Sequence, residues 1–382
     1  MSASAEVQDV VHPYASYSVA YDSNVLGLSS HDAAVQLMGT QDMGDISRSA
    51  RGGMQIEKLF GRQRIALDLA ATDVKFDRFS ELDYQGRNLD GSWMWSVGNR
   101  LAGKANVNYL RTLASFDTFH SLVRRIRTDR HGDFDIRWQL HPRWQIRGAI
   151  GHDDSVYSDA VQESGNRREN SGEAGFDYAT PGGTTVGIFA RRVEGIYPIP
   201  VDPAVVSTSN KFYQNELRGR FLWNVSGKTT VQFSGGRVAR NHAAPFAKDF
   251  RGGNARATAD WAVTRNTVVT AVFWRELGIV DDSFAAYSIN VGASMGARWA
   301  MSEKLQADLH FRAESRDFRS SQLGVQSIQY GDLTRSVQSS LSYSPGRHWL
   351  IQPSIFHTAR EGRGVLTSFN RNGVSITAQY KF

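Results

Sequence analysis

The sequence predicts an all-β fold, a closed antiparallel up-and-down barrel that crosses a membrane, and three observations predict it. The last segment alternates: Val374, Ile376, Ala378, Tyr380 and Phe382 share one face, Ser375, Thr377, Gln379 and Lys381 the other. Period two marks a strand with one apolar side. Short turn signals recur every 38 to 45 residues, at Phe60-Gly61-Arg62, Gly98-Asn99-Arg100, His141-Pro142-Arg143, Pro181-Gly182-Gly183, Ser226-Gly227-Lys228, Thr264-Arg265-Asn266, Ser302-Glu303-Lys304 and Pro345-Gly346-Arg347. Finally, Trp93, Trp95, Trp138, Trp144, Trp223, Trp261, Trp299 and Trp349 lie within about five residues of one of these turns, as in an aromatic girdle at headgroup depth; Trp274 alone does not.

Composition narrows the alternatives. No run of about 18 apolar residues exists, so a helical membrane span is excluded. There is no cysteine, hence no disulfide, thiol site or Cys-based zinc site. The net charge is +6 and arginine dominates the basic residues, 36 against 8 lysines. These cations are spread through the strands instead of clustering in a patch or tail, which argues against nucleic acid as a partner. The small residues Ser2-Ala3-Ser4-Ala5 resemble the end of a secretory signal, so the chain is expected to be a mature exported one.

Between successive short turns lie two strand-like runs joined by a longer polar connection, so each repeat is one long hairpin. Eight short turns and nine longer connections give eighteen strands in a single barrel domain over residues 1–382, with sixteen as the alternative. In chain order, Phe134, Ile136, Trp138 and Leu140 oppose Asp133, Asp135, Arg137 and Gln139. Leu217, Gly219, Phe221 and Trp223 oppose Glu216, Arg218, Arg220 and Asn224. Ile289, Val291, Ala293, Met295, Ala297 and Trp299 oppose Asn290, Gly292, Ser294, Gly296 and Arg298. Leu305, Ala307, Leu309, Phe311 and Ala313 oppose Gln306, Asp308, His310, Arg312 and Glu314. The alternation weakens near Gly175, Gly195 and Val268, where a one-residue slip would reverse the faces. A β-propeller also repeats at about forty residues but needs four short strands per repeat; two long runs suit a tilted span of about 9–11 residues.

The polar face then lines a water-accommodating lumen. Arg137, Arg147, Glu216, Arg218, Arg220, Arg256, Arg298, Asp308 and Arg312 are the expected pore-lining residues, an Arg-rich set suited to carboxylate or phosphate solutes. The same register puts Phe189, Leu222, Phe273 and Phe356 inside, a sliding platform for a saccharide. Trp138, Trp144, Trp223, Trp261, Trp299 and Trp349 form the membrane-interface girdle. Pro198, Pro200, Asp202 and Pro203 stiffen one long loop, which either folds inward as a constriction or braces the exterior. No His pair has metal-ligand spacing and no phosphate-binding loop or nucleophile signature stands out, so no metal, cofactor or enzymatic activity is expected. Asp153-Asp154 and Asp281-Asp282 read as loop-edge pairs able to hold a cation with lipopolysaccharide.

From Val11 to Leu26 the chain reads Val-His-Pro-Tyr-Ala-Ser-Tyr-Ser-Val-Ala-Tyr-Asp-Ser-Asn-Val-Leu. This resembles the opening of EpsL-type outer-membrane barrels of exopolysaccharide operons, in which an aromatic strand runs into an Asp-Ser-Asn stretch. The resemblance implies a secretion channel for an exopolysaccharide, acidic in view of the arginines, in the bacterial outer membrane. It also implies a periplasmic polysaccharide export protein as partner, besides polysaccharide and outer-membrane lipid or lipopolysaccharide. A general or solute-specific porin is the alternative reading of the same lumen.

Overall fold

The computed structural model describes residues 10–117, 119–159, 165–196, 211–243, 249–278, 285–320, 330–364 and 366–382. Eighteen strands run up and down in chain order: β1 (Val10–Asp22), β2 (Asp45–Phe60), β3 (Gln63–Phe76), β4 (Tyr84–Val97), β5 (Leu101–Leu113), β6 (Ile126–His141), β7 (Trp144–Tyr157), β8 (Arg167–Ala179), β9 (Thr185–Ile196), β10 (Lys211–Ser226), β11 (Thr229–His242), β12 (Phe250–Ala262), β13 (Thr267–Gly278), β14 (Ala285–Ala300), β15 (Leu305–Ser320), β16 (Tyr330–Tyr343), β17 (Trp349–Arg363) and β18 (Phe369–Lys381). Each pairs antiparallel with its sequence neighbours. β1 also pairs with β18, from Tyr14 opposite Lys381 to Asp22 opposite Gly373, so the sheet closes and leaves no edge. The count is eighteen, not sixteen.

Residues directly opposite on neighbouring strands share a face, which sorts the wall into an outside and an inside. Val19 and Ile376, Trp138 and Ile146, Phe176 and Ile188, and Met295 and Phe311 are such pairs, and they form a continuous apolar outer belt. A ring with its backbone bonds satisfied and its apolar side chains outside is the form in which strands cross a bilayer. The barrel is therefore lodged in membrane lipid. Short turns gather at one rim, the periplasmic one, and long connections at the other.

One expectation reverses. Phe273 lies opposite Ala257 and Ala293 on the outer face and is 60% exposed, so it faces lipid, not the lumen. β13 is apolar on both sides, with Val268, Val272 and Trp274 on its inner face. Alternation there does not distinguish in from out.

A single-layered wall has little core of its own, and the main apolar core lies at the long-loop rim. The connection from β1 to β2 carries a helix, α1 (His31–Met38), started by the Ser30 side chain accepting from the Ala33 amide and ended by Gly39 at φ 72°. Its Ala34 packs with Val25, Leu26 and Leu28, with Phe79 and Leu82 around a 3-10 turn, and with Phe116 of the β5–β6 connection. Asp45 fastens the second connection by accepting from the amides of Arg78 and Phe79. These three connections form one cap.

Candidate functional site

The expected pore-lining residues all stand on the inner face, and each arginine is held by a carboxylate. On β6, Arg137 lies 3.3 Å from Asp135. Arg147 of β7 and Arg220 of β10 share Asp177 of β8, at 3.9 and 2.7 Å. Arg218 bridges Glu173 of β8 and Glu216 of its own strand. Arg256 pairs with Glu276 at 3.2 Å, Arg298 with Asp308 at 3.0 Å and Arg312 with Glu314 at 2.8 Å. Period two explains the nearest pairs, i and i+2 on one strand (Arg137–Asp135, Arg312–Glu314) or opposite residues on two (Arg298–Asp308), whereas Arg218 and Arg220 reach across β9 to Glu173 and Asp177 of β8. Pairing fixes the guanidinium planes and leaves Arg256 and Arg312 nearly half, and Arg298 about two thirds, exposed to the lumen.

The inward aromatic residues are covered by arginines, most of them from this set. Phe189 is 5% exposed, with Arg220 and Arg147 at 5.0 and 5.9 Å from its ring centre. Phe356 lies inward beneath Arg371, 5.8 Å away. Leu222 also faces inward, opposite Gln232. Trp274 points into the barrel, donates to Glu314 at 2.8 Å and lies between Arg312 and Arg256 at 4.5 and 5.7 Å. Stacking under guanidinium is favourable, and it removes the bare aromatic face a sliding saccharide requires. Trp274 was absent from the expected lumen set, although its distance from any turn was the signal.

Charge is divided across the lumen. Asp68, Asp90, Asp133 and Asp135 face inward from β3, β4 and β6, where acidic residues outnumber basic ones. Arg218, Arg220, Arg256, Arg298 and Arg312 face them from β10, β12, β14 and β15, about half the ring away. A recess of about 670 Å³ on the acidic side is lined by His12, Gln55, Glu57, Asp90, Asn106 and Asn108 among others. One of about 120 Å³ on the basic side lies between Arg218 and Arg256, with Gln214, Asn254 and Glu276.

Above this stands the cap. His120 is 2.7 Å from the Leu26 carbonyl and 2.6 Å from Thr367 Oγ1, so the β5–β6 connection reaches across to the segment before β18. Arg360 of β17 donates to Asp332 of β16 at 3.0 Å and to the Asp117 carbonyl. Arg371 of β18 approaches both Asp117 and Asp22, at 3.9 and 3.8 Å. The expected constriction, Pro198 to Pro203, lies outside the described residues. The described inward-reaching element is a different one, and sequence periodicity contains no signal for it.

Trp138, Trp144, Trp223, Trp261, Trp299 and Trp349 all point outward at the short-turn rim, each exposed. Asp153 and Asp154 are strand residues of β7 instead of a loop pair. Asp153 turns inward to His131, and Asp154 turns outward between Arg130 and Arg168. Asp281 and Asp282 lie outside the described residues.

No protein-family model matches the chain, and no curated protein does. Among solved structures it is similar to OccK2 (OpdF) of Pseudomonas aeruginosa, crystallised with glucuronate, at 10% identity over 98% of each chain and a TM-score of 0.49. OccAB3 of Acinetobacter baumannii is similar at 10% identity over 97% of this chain and 99% of that one, TM-score 0.46. The siderophore receptor PirA of Pseudomonas aeruginosa is similar at 10% identity over 96% of this chain and 80% of that one, TM-score 0.43. These similarities are too distant to bear on what this chain carries.

The resemblance to EpsL-type barrels is overturned: no family model supports it, and the similar structures are Occ/Opd-type outer-membrane proteins and siderophore receptors. The residues behind it have a local explanation. Val11 to Asp22 is a strand with Tyr17 and Tyr21 facing lipid, and Asp22-Ser23-Asn24 is its junction with the cap. There Asp22 accepts from the Asn24 amide, Ser23 from the Asn372 amide, and Asn24 from the Leu28 amide. Any barrel with an inward-packed first loop needs such a junction. Exopolysaccharide export and the periplasmic export partner fall with the resemblance. The chain is an outer-membrane β-barrel of eighteen strands.

Proposed function

We propose that the barrel is a channel for small hydrophilic solutes, favouring anionic ones. The observation that carries this reading is the basic row Arg218, Arg256, Arg298 and Arg312, the last three each oriented by one carboxylate and Arg218 by two, all partly exposed to the lumen. A guanidinium tied at one edge keeps its remaining donors free for a passing carboxylate or phosphate, and a row of weak, similar contacts lets a solute enter and leave. The acidic side opposite sharpens the preference by repelling the anion toward that row. The reading assigns no enzymatic step.

Reversal potentials in planar bilayers across a salt gradient test it. Anion preference that diminishes in Arg256→Gln combined with Arg298→Gln supports the channel, and brief blockades by dicarboxylates support contact with the row. A nonconducting protein, or selectivity indifferent to these changes, sinks it.

A further inference from the structure

We propose that the outer face of β4 to β8, near the long-loop rim, binds the phosphorylated headgroup of an outer-leaflet glycolipid. Arg87 of β4 and Arg111 of β5 stand directly opposite each other on the lipid-facing side. Like charges so placed repel, and among the described residues neither takes part in an ion pair. Beside them, Arg130 of β6 and Arg168 of β8 flank Asp154 of β7, at 2.8 and 3.5 Å. Asp154 is 7% exposed whereas both guanidiniums are more than half exposed, so one sunken carboxylate orients two forks and leaves a positive surplus. Four arginines facing out of the barrel cannot serve a lumen solute. A dianionic phosphate suits them, since it accepts from several forks at once and relieves their repulsion.

Depth supports the same assignment. Arg130 lies eight residues from Trp138 of the interfacial girdle along β6. At about 3.3 Å per residue and a strand tilt near 40°, that is roughly 20 Å of height, close to the roughly 25 Å of the apolar band. If Trp138 marks one edge of the hydrocarbon, Arg130 is near the other, at headgroup level. Tyr109, opposite Arg130 on β5, suits that depth too. On β16 an outward cation is neutralised singly: Arg335 has Glu361 of β17 at 2.6 Å.

Native mass spectrometry of the detergent-purified barrel, titrated with bis-phosphorylated lipid A, its dephosphorylated form and phosphatidylglycerol, tests this without reference to conduction. The expected result is preferential binding of bis-phosphorylated lipid A, weakened about tenfold or more when Arg87, Arg111, Arg130 and Arg168 are all changed to alanine. Arg335→Ala leaves it unchanged. Arg130→Lys with Arg168→Lys keeps charge but not the fork, needs no refolding allowance, and falls between. Equal binding of the dephosphorylated lipid or of phosphatidylglycerol, or a folded quadruple variant that binds like the parent, overturns the proposal.

Discussion

The guanidinium of Arg360 on β17 is shared between Asp332 on β16, at 3.0 Å, and the main-chain carbonyl of Asp117 in the cap. Asp332 is fully buried and also accepts from Arg316 at 2.9 Å. Wall and cap are thus joined through one buried charge cluster, so an injury to either is felt by both. Arg360→Ala is expected to cost about 3 kcal/mol, the low end for breaking a buried pair because Arg316 remains. Trypsin should then cut sooner at Arg124 and Arg125. Cleavage at the parental rate would mean that the cap is held by its apolar core alone.

His120 makes two bonds from the cap to the rest of the rim. Replacing it with alanine removes about 1 kcal/mol for each. Amide exchange at Leu26 to Leu28 should accelerate roughly 5- to 30-fold with the strands unaffected. Unchanged exchange would show that Thr367 and the Leu26 carbonyl contribute no restraint.

Neighbouring residues on β14 report which way the wall faces. Met295 is on the lipid side and Ser294 on the lumen side. Met295→Arg should cost about 2–4 kcal/mol in lipid refolding, and Ser294→Arg far less. Equal penalties would contradict the facing derived from cross-strand pairs.

Gly175 faces inward on β8, and a Cβ there would collide with the Phe189 ring. Gly175→Ala must displace Phe189 from beneath Arg147 and Arg220, at about 1–3 kcal/mol as for other overpacking. Gly172, on the lipid-facing side of the same strand, has open space where a Cβ would stand, so Gly172→Ala controls for the backbone effect of the change. Chemical-denaturant midpoints for the pair decide the matter: equal midpoints would mean that Phe189 moves freely.

Reversing a charge in the basic row gives the sharpest check on permeation. Arg256→Glu should move the reversal potential toward cations, and Arg251→Glu, on the outer face two strand turns of the pleat away, should not. A shift produced by both would point to surface charge near the mouth in place of the lumen.

The strands were legible because one wall separates two solvents. Leu305, Ala307, Leu309 and Phe311 read as one side since lipid admits no polar neighbour among them, while Gln306, Asp308 and His310 read as the other. Where the lumen side also carries apolar groups, as Val268, Val272 and Trp274 do, the two solvents cease to be distinguishable in sequence and Phe273 was misplaced. The cap was illegible for a different reason. Asp117 meets Arg360 and His120 meets Thr367 across more than two hundred residues, through a loop with no period to read. The opening motif misled because a strand end and its capping turn recur wherever chains make that junction.

The division of the lumen into an acidic and a basic side has a consequence separate from charge preference. Opposed walls make a field directed across the passage, and such a field exerts torque as well as force. A zwitterion, with no net charge to be selected, would turn until its carboxylate faced Arg256 and its ammonium faced Asp90. A neutral dipolar solute would thus cross the passage turned broadside to it, so the barrel orders the orientation of molecules it does not sort by charge.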